Sequence, residues 1–489
     1  MTGLVITWLV APFLAAFLAA LKPPLARPLL LLSSAATAAM AAAAQQGWLA
    51  GPLQLLGPLG VALRLDDLAA PFLLLNGLVV AAAVLQGWRR PGSEPALLLL
   101  LVLQGSLNTA VVAVDLISIY VALEAVGIAV LLLLAQGRGE GAIWLALRYG
   151  LVSNTVMLLY LIGAALIYQE RHSFAMAGVA EVGGLAVALM AVGLLTKAEL
   201  FVGGLWLPRT NAEVPPELSA VLSGAVTGAG IVPLLRLVEV APPLATVLQV
   251  VGLGGAVLAS LYALAEADAR RLLAWSTLAQ MGLVLVAPAT AGLYALAHGL
   301  AKAGLFLALE NLQRLRLPLL VAALSIAGVP PLLGFFAKEL QEQGLAGVLG
   351  VLVTLLGVAT VAVYARLWNG AATNPAVAGV GAAQTAVVDP AAAGAAAGAP
   401  GPVGAVLLCL ALVLLNLSPW ARAGWADLAS SGLGWPLLKT ALTLAAGIGL
   451  QRWLEPWWSR WRLPLLERLD DLLAAVVLTG AGLVLALGR

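Results

Sequence analysis

Apolar stretches long enough to cross a lipid bilayer follow one another along almost the whole chain, and this succession limits the possible folds more than any other feature. Of the 489 residues, 62% are hydrophobic and only 10% are charged, whereas a soluble globular protein carries about 25% charged residues. A soluble domain of this size would need far more polar surface to cover its core. The sequence therefore predicts an all-α, polytopic membrane helix bundle and excludes a soluble enzyme, a nucleic-acid binder and a disordered scaffold.

A helix needs about 20 apolar residues to cross the hydrocarbon core of a bilayer, and by that measure the sequence predicts sixteen spans. Residues 368–401 are rich in Ala, Gly and Pro and predict a flexible connection. Residues 49–64 are apolar but short and interrupted by Gly and Pro, which favours a position at the membrane interface. The predicted spans are 3–21, 27–47, 67–87, 95–114, 116–136, 142–168, 183–206, 217–237, 243–265, 272–289, 291–312, 318–338, 344–367, 402–419, 434–451 and 470–488.

The basic residues of the connections fall mainly on one side of the predicted bundle. Fifteen follow odd-numbered spans and five follow even-numbered spans, and an excess of Lys and Arg marks the cytoplasmic side. This bias predicts an N-terminus on the non-cytoplasmic side and, because the span count is even, a C-terminus on the same side. The chain starts Met-Thr-Gly without a basic segment, which favours a first span over a removed signal peptide.

The polar composition argues against a bound cofactor. One cysteine, Cys409, excludes a disulfide framework and a cysteine-based metal site, and two histidines far apart in sequence disfavour a zinc or haem site. The sequence contains no nucleotide-binding fingerprint or nucleophile elbow. A net charge of +2 supplies no field that would attract nucleic acid. The sequence thus predicts no cofactor, no metal and no covalent chemistry by this chain alone.

The two basic residue types are distributed differently along the chain. Lys197, Lys302 and Lys338 fall inside predicted spans, whereas the arginines lie at span ends or in loops, with Arg148 the one doubtful case. A desolvated lysine can release its proton near neutral pH but an arginine cannot, and a charge at membrane depth commonly marks a proton or ion path. Snorkelling of a lysine near a helix end is the alternative, but three such lysines favour a function.

Further ionisable groups lie deep in predicted spans. Glu124 has apolar residues for a full turn on both sides, so it needs a basic partner or water, unless it makes a structural hydrogen bond within the bundle. His298 lies four residues before Lys302 and therefore on the same helix face, where the two can pass a proton. Glu199, two residues after Lys197, is predicted on another face of its helix, as an incidental or secondary group.

Two predicted spans carry the prolines of interrupted helices. The first contains Lys197 and continues into Trp206-Leu-Pro and Val214-Pro-Pro-Glu, and the second reads Ala327-Gly-Val-Pro-Pro-Leu-Leu-Gly-Phe-Phe-Ala-Lys338. Proline removes a backbone donor, and groups freed at membrane depth must face protein or water. A lysine beside an interrupted helix, at two positions five spans apart, predicts two related halves with a site in each.

Five sequence stretches share a specific pattern with one family. They are Ile119-Tyr-Val-Ala-Leu-Glu124, Lys197 through Trp206-Leu-Pro to Pro215-Pro-Glu-Leu-Ser-Ala, Asp268-Ala-Arg-Arg-Leu-Leu-Ala-Trp-Ser-Thr-Leu-Ala-Gln-Met-Gly282, His298-Gly-Leu-Ala-Lys302-Ala-Gly-Leu-Phe, and Leu324-Ser-Ile-Ala-Gly-Val-Pro-Pro-Leu-Leu-Gly-Phe-Phe-Ala-Lys338. They resemble the antiporter-like, proton-conducting membrane subunits shared by Mrp-type multisubunit Na⁺/H⁺ antiporters and complex I, the NADH:quinone oxidoreductase. The resemblance covers about residues 60–370.

The resemblance implies about fourteen core transmembrane helices, here with up to two extra, in two inverted five-helix repeats with broken helices. N-terminal helices would occupy residues 1–94, the first repeat 95–237 and the second repeat 243–367. The flexible connection 368–401 would then lead to C-terminal helices over 402–489.

The same resemblance implies a proton path along a central row of ionisable residues. Glu124 would be the glutamate of the fifth helix and Lys197 its partner in the seventh, where the carboxylate tunes the proton affinity of the lysine. His298 and Lys302 would match the relay of the eleventh helix. Lys338 would match the lysine or glutamate of the twelfth helix that exchanges protons with the exit side.

Three positions depart from the pattern of the family. The lysine expected in the eighth helix aligns with Gly228, which cannot titrate, so only water, Thr227 or another side chain could bridge this gap. The usual histidine before Trp-Leu-Pro is Gly204, and the usual aspartate after it is Arg209. These changes put the standard relay in question.

The sequence predicts a proton-translocating subunit of a multisubunit cation/proton (Na⁺/H⁺) antiporter, in an energy-transducing membrane such as a bacterial plasma membrane. Its expected partners are other membrane subunits, the lipid bilayer, protons and Na⁺, and no nucleic acid. One alternative is the corresponding proton-pumping subunit of an NAD(P)H:quinone oxidoreductase. A further alternative is a structural subunit with impaired conduction, for which Gly228 is the evidence. A lipid-modifying transferase is disfavoured because the sequence offers no large acidic loop.

Overall fold

The computed structural model describes residues 2–47, 52–57, 60–87, 94–137, 140–309, 315–345, 347–368, 402–418, 425–426, 432 and 434–458. Helices dominate this part of the chain. In chain order they are α1 (Thr2–Leu21), α2 (Ala26–Gln45), α3 (Ala69–Gln86), α4 (Glu94–Val112), α5 (Leu116–Ala135), α6 (Glu140–Arg171), α7 (Gly184–Lys197), α8 (Leu207–Glu213), α9 (Pro216–Gly224), α10 (Ile231–Val240), α11 (Leu244–Ala265), α12 (Ala269–Val286), α13 (Ala291–Leu309), α14 (Arg316–Ala327), α15 (Leu333–Gln343), α16 (Val348–Trp368), α17 (Val403–Leu414) and α18 (Gly434–Trp458).

The predicted helical membrane fold is confirmed. Fifteen of the sixteen predicted spans coincide with helices, while the span 470–488 and the predicted connection from residue 369 onwards lie outside the described residues. Within the described part, ten helical segments are long and apolar enough to cross a membrane. They are Thr2–Leu21, Pro23–Gln45, Ala69–Gln86, Glu94–Val112, Leu116–Ala135, Gly141–Arg171, Pro216–Val240, Leu244–Ala265, Pro288–Leu309 and Val348–Leu367.

Three of the predicted spans are interrupted helices. Span 183–206 forms α7, which ends at Lys197, and the chain then turns before α8 begins. Span 318–338 forms α14 and resumes as α15 at Leu333. The prolines predict both of these interruptions. Span 217–237 is divided as well, into α9 and α10 around a 3₁₀ turn at Val226–Gly228, and this interruption was not predicted.

Local sequence explains where two of the interrupted helices stop and start. Gly328 ends α14 in the left-handed conformation, with φ of +83°, and its N–H bonds to the Ser325 carbonyl at 3.0 Å. Pro208 and Pro216 lie in the first turns of α8 and α9, where a missing N–H costs nothing. Gly334 in α15 lies so close to the Ser325 carbonyl that a Cβ could not be accommodated, so α14 and α15 pack tightly at their junction.

The helices that contain the polar residues lie at the centre of the bundle. α13 is buried along nearly its whole length and packs against α3, α9, α14 and α17. Gly224 of α9 faces Gly299 of α13, and a Cβ on Gly299 would lie 2.6 Å from the Gly224 carbonyl oxygen. Small residues allow such close helix contacts in the absence of a hydrophobic driving force. α1 and α2, by contrast, are each only about one-third buried.

A short hairpin closes one end of the bundle, in the segment predicted at the interface. β1 (Leu53–Gln54) pairs antiparallel with β2 (Ala62–Leu63). The N–H of Ala62 donates to the Asp115 carboxylate at 2.7 Å, and Asp115 also caps α5 by accepting from the Ser118 N–H. The hairpin is therefore fastened to the N-terminus of α5.

A buried arginine connects the same end of the bundle to α10. Arg236 is 1% exposed and donates two hydrogen bonds, at 2.9 and 3.1 Å, to Asp66 just before α3. Arg64 also contacts Asp66 at 2.7 Å and reaches Glu239 at 2.8 Å. Burial would raise the pKa of the Asp66 carboxyl, but the hydrogen bonds and charge of Arg236, with Arg64, hold this pKa below its usual value. The ionised form of Asp66 thus stabilises the fold.

Replacing Asp66 with Asn is expected to destabilise the protein at pH 7 by about 3 kcal/mol, because it leaves the buried Arg236 without its counterion. In the native chain, ionised Asp66 stabilises the folded state at pH values above the ordinary carboxyl pKa. This stabilisation is lost as the pH falls through the lower pKa of folded Asp66. Thermal unfolding in detergent, followed between pH 7 and pH 3, measures both effects. The control is Asp67→Asn at the exposed neighbouring position. Equal stability of the two variants at pH 7 would contradict the assignment.

Candidate functional site

Glu124 and Lys197, predicted to be partners, lie side by side between α5 and α7. The Lys197 Nζ is 3.8 Å from Glu124 Oε1, and the lysine side chain is 3% exposed. The ammonium also donates to Asn154 Oδ1 of α6 at 3.3 Å. Gly127 lies one turn after Glu124, and a Cβ there would be 2.7 Å from the Lys197 Nζ. Three helices therefore hold one lysine beside one carboxylate, at a distance that permits proton exchange through small movements or one water.

A second carboxylate reaches the same place, contrary to the prediction for Glu199. Because α7 ends at Lys197, Glu199 does not continue the helix: its φ is +53°, in the left-handed region. Glu199 is 3% exposed, and its Oε2 has no hydrogen-bond partner among the described residues. Lys197 and Glu199 line one small cavity of about 10 Å³, room for about one water molecule, together with Tyr149 and Ser153. The prediction failed because it assumed a continuous helix.

The interruption in α7 is packed against the interruption between α9 and α10. A Cβ on Gly230, the residue before α10, would lie 2.3 Å from the Ala198 nitrogen and 2.5 Å from the Lys197 carbonyl carbon. Only glycine fits such an approach. The unpredicted break between α9 and α10 therefore lies directly behind Lys197, at the end of α7.

His298 and Lys302 share a face of α13, as predicted, but they point towards different partners. The Lys302 ammonium is fully buried and donates to the Leu273 carbonyl of α12 at 2.7 Å. It also lies 5.3 Å from the ring centroid of Tyr364 on α16, a cation–π distance. Neither ring nitrogen of His298 has a hydrogen-bond partner among the described residues.

His298 instead opens onto a cavity that it shares with Lys338. This cavity has a volume of about 10 Å³ and is also lined by Gln280, Tyr294 and Ser325. Tyr294 donates to Gln280 Oε1 at 2.6 Å. A buried imidazole with no partner among the described residues, beside a cavity with room for about one water, is placed to accept or donate a proton through such a water.

The predicted gap at Gly228 is occupied by a ring. A Cβ on Gly228 would lie 3.3 Å from Cδ1 of Phe72 on α3, so the ring stands where a longer side chain would begin. Neutral polar groups of α8, α9 and the 3₁₀ turn are bonded to one another: Asn211 donates to Ser223 Oγ at 2.8 Å, and Thr227 donates to the Ser223 carbonyl at 3.3 Å. Asn211 Oδ1 has no partner within the described part of the chain.

The other two departures also have structural counterparts. A Cβ on Gly204 would lie 2.6 Å from the Glu199 carbonyl oxygen, so the local turn excludes a histidine. Arg209 is partly exposed and reaches Glu213 at 3.4 Å within α8. The Glu199 carboxylate lines the cavity of Lys197, although the sequence analysis treated it as an incidental or secondary group.

One ionic cluster was missed altogether. Lys439 of α18 contacts Glu339 at 2.5 Å and Glu342 at 2.9 Å, both on α15. The prediction counted three lysines inside spans and overlooked Lys439, which also lies within the predicted span 434–451. Glu339 follows the last residue of the predicted span 318–338 and was not considered, whereas α15 continues to Gln343. The spacing of Lys338, Glu339 and Glu342 would have revealed the cluster on a continued helix.

Comparison with known proteins places these residues in a family. The family described as "NADH:quinone oxidoreductase/Mrp antiporter, TM" matches residues 113–317, which contain Glu124, Lys197, His298 and Lys302. The structure is similar to a chain of the Mrp complex from a Dietzia species, with a TM-score of 0.76 and 23% identity, over 100% of this chain and 60% of that chain. That likeness concerns the fold.

Sequence relatives come from both branches of the family. NADH-quinone oxidoreductase subunit 14 of Thermus thermophilus is 34% identical over 56% of this chain and 69% of its own length. A Na⁺/H⁺ antiporter subunit of Alkalihalophilus pseudofirmus is 26% identical over 58% of this chain and 66% of its own length. The chain thus spans about two thirds of the relatives that it matches, and seven of eight such relatives are quinone oxidoreductase subunits. The chain is an integral membrane protein and belongs to the antiporter-like membrane subunits shared by NADH:quinone oxidoreductases and Mrp antiporters.

Proposed function

We propose that this chain translocates protons as one subunit of a larger membrane complex, and that Glu124, Lys197, His298, Lys302 and Lys338 form its proton path. The observation that carries the proposal is the Lys197 ammonium, which is buried among apolar helices 3.8 Å from Glu124. A buried charge pair at an interrupted helix is expensive to maintain and does not by itself favour stability. Its position is better explained by proton transfer than by folding.

The first step of the proposed path is an exchange of the Lys197 proton between two acidic neighbours. Glu124 approaches the ammonium from α5, and Glu199 approaches it from the turn after α7 through the shared cavity. When Lys197 moves towards one carboxylate, its hold on the other weakens, so the groups titrate as a coupled set. Asn154 keeps the ammonium in place between them by accepting its hydrogen bond.

The second step uses the groups of α13 and α15. Lys302 is held by a carbonyl of α12 and by the ring of Tyr364, while His298 and Lys338 line one small cavity. A proton on Lys302 has His298 one helical turn away on the same face of α13. From His298 the cavity offers a route to Lys338 through one water. The order of transfer is therefore Lys302, His298 and Lys338, or the reverse.

The five groups of the proposed path divide between the two proposed repeats. The first repeat, 95–237, would contain Glu124 and Lys197, and the second repeat, 243–367, would contain the other three groups. An interrupted helix accompanies the lysine in each: α7 ends at Lys197, and α14 gives way to α15, which contains Lys338. Residues 1–94 and 402–489 would then be peripheral helices, joined to the repeats by the connection 368–401.

Between the two halves, the path would depend on water and hydroxyl groups. Gly228 supplies no proton-carrying group, and Phe72 stands against it. Asn211, Ser223 and Thr227 are fully buried polar residues on the neighbouring elements. If water does not enter here, the alternative of a structural subunit with impaired conduction applies, and the two halves would work independently or not at all.

The assembly around the chain has two candidates. The predominance of quinone oxidoreductase subunits among the relatives favours a respiratory complex, with proton pumping driven by electron transfer. The fold likeness to the Mrp complex and the relative from a Na⁺/H⁺ antiporter support a cation/proton antiporter. In either case the partners are other membrane subunits and the lipid bilayer, in an energy-transducing, bacterial-type plasma membrane with the N-terminus on the non-cytoplasmic side. Purifying the intact complex and identifying its subunits by mass spectrometry separates the two.

Replacing Lys197 with Ala, or Glu124 with Gln, is expected to reduce proton movement by at least about tenfold, because each variant removes one partner of the coupled pair. The measurement is fluorescence quenching of a pH-sensitive dye in inverted membrane vesicles, driven in parallel by a Na⁺ gradient and by a respiratory substrate. Lys22→Ala, at an exposed lysine between α1 and α2, is the control. Copurification of the other subunits shows that the complex still assembles. Full activity of both variants would overturn the proposed path.

Replacing Gly127 with Ala tests the position of the ammonium without removing a charge. The added Cβ would lie 2.7 Å from the Lys197 Nζ and 2.6 Å from Asn154 Oδ1, so the flexible ends of both side chains must move. Transport is expected to fall by about tenfold, while the helix itself gains stability from the alanine. Gly254→Ala on α11 is the matched control, since its Cβ meets no atom within 4 Å. If both variants transport equally well, the exact placement of Lys197 is unimportant and the proposed first step is wrong.

A further inference from the structure

Helix α18, the last of the described helices, contributes a charge to the end of the proposed path. Lys439 contacts the carboxylates of Glu339 and Glu342 on α15, at 2.5 and 2.9 Å. The three side chains are between 7% and 20% exposed, so water screens these contacts poorly. Two carboxylates against a single ammonium leave one negative charge uncompensated among the three.

Lys338 supplies the missing positive charge. It lies four residues before Glu342 and therefore on the same face of α15, within electrostatic range of both Glu342 and Lys439. The four groups then carry two positive and two negative charges. Such a neutral set can be buried at much lower cost than any unpaired member.

Glu342 is the carboxylate for which the two lysines compete. Lys439 donates to Glu342 directly, whereas Lys338 makes no hydrogen bond to either carboxylate within the described residues. On the other side, Lys338 faces the cavity that contains His298 and Tyr294 of α13. Binding of Glu342 by Lys439 therefore leaves Lys338 oriented towards the histidine.

The other described helices around the cluster have few charged residues. α13, α14 and α17 pack against α15, and α16 packs against α18. Besides His298, their charged residues are Lys302 on α13, Arg316 at the start of α14 and Arg366 near the end of α16. Phe336 of α15 packs against Trp425 with the rings tilted and their centroids 4.3 Å apart, which adds an apolar contact. The charge balance at this end of the bundle thus rests on the four groups of α15 and α18, with His298 and Tyr294 as their titratable neighbours.

Building on the proposed proton path, we propose that Lys439 is a positioning residue that controls proton release from Lys338 by occupying Glu342. When Lys439 holds Glu342, Lys338 lacks a close counterion and exchanges its proton with His298 or with the outside. When Lys439 withdraws, Glu342 is free to pair with Lys338 and retains the proton there. α18 would in this way act as the gate of the second site, and its movement against α15 would regulate the rate.

The test replaces Lys439 with Met in the intact complex and measures the pH dependence of proton movement in inverted vesicles. Freed Glu342 should hold the Lys338 proton more tightly, so transport at neutral pH is expected to fall about tenfold and the pH profile to move about one unit to higher pH. Lys439→Arg keeps the charge and should keep the native profile. Lys22→Met, the same substitution at an exposed lysine, is the control.

A second variant separates positioning from a structural role. Lys439→Met combined with Glu342→Gln removes the freed carboxylate and should return the pH profile towards that of the native protein. A purely structural role of Lys439 would lower the amount of complex without moving the profile. An unchanged rate and profile in Lys439→Met, with Lys197→Ala inactive, would overturn this inference alone, whereas full activity of Lys197→Ala would overturn the proposed path itself.

Discussion

The interrupted helices determine where Lys197, Glu199 and Lys338 lie. In hydrocarbon, backbone N–H and C=O groups cannot be left unpaired, so a helix can stop at membrane depth only where protein or water satisfies the freed groups. Here α7 stops at Lys197, and its end packs on Gly230 at the division between α9 and α10. The break turns Glu199 out of the helix and into the cavity of Lys197. The backbone need for polar surroundings and the lysine's need for a counterion are thus met in one place.

The sequence predicted the helices and two of the three interruptions because these depend on local chemistry. Runs of apolar residues specify helices of membrane length, and Pro330 and Pro331 cannot continue α14. The division at Val226–Gly228 has no proline, and glycine in a membrane helix usually signals close packing, so its role depends on contact with α7. A contact between elements distant in sequence is invisible to a local pattern.

The candidate site was predictable to the extent that charge is rare in this chain. An ionisable residue in an apolar span is conspicuous, and resemblance to the family paired Glu124 with Lys197 correctly. The sequence could not show that Lys302 turns to a carbonyl of α12 while His298 faces Lys338, because helical spacing fixes a face but not a rotamer. Lys439 was missed for another reason: its partners Glu339 and Glu342 follow the end of the predicted span 318–338, so no carboxylate inside a predicted span pointed to it.

The glycine at position 228 belongs to the packing of the bundle and is more than a missing lysine. A lysine there would have to displace the ring of Phe72, which is 2% exposed, or place its charge against that ring. Overpacking of this kind is costly in a close-packed interior, so Gly228 and Phe72 form a matched pair. With the pair in place, the hydroxyl and amide groups of Asn211, Ser223 and Thr227 are the polar surface left beside it. Neutral groups can orient water without holding a charge, so in the proposed path the centre would pass protons and the sites at Lys197 and Lys338 would store them.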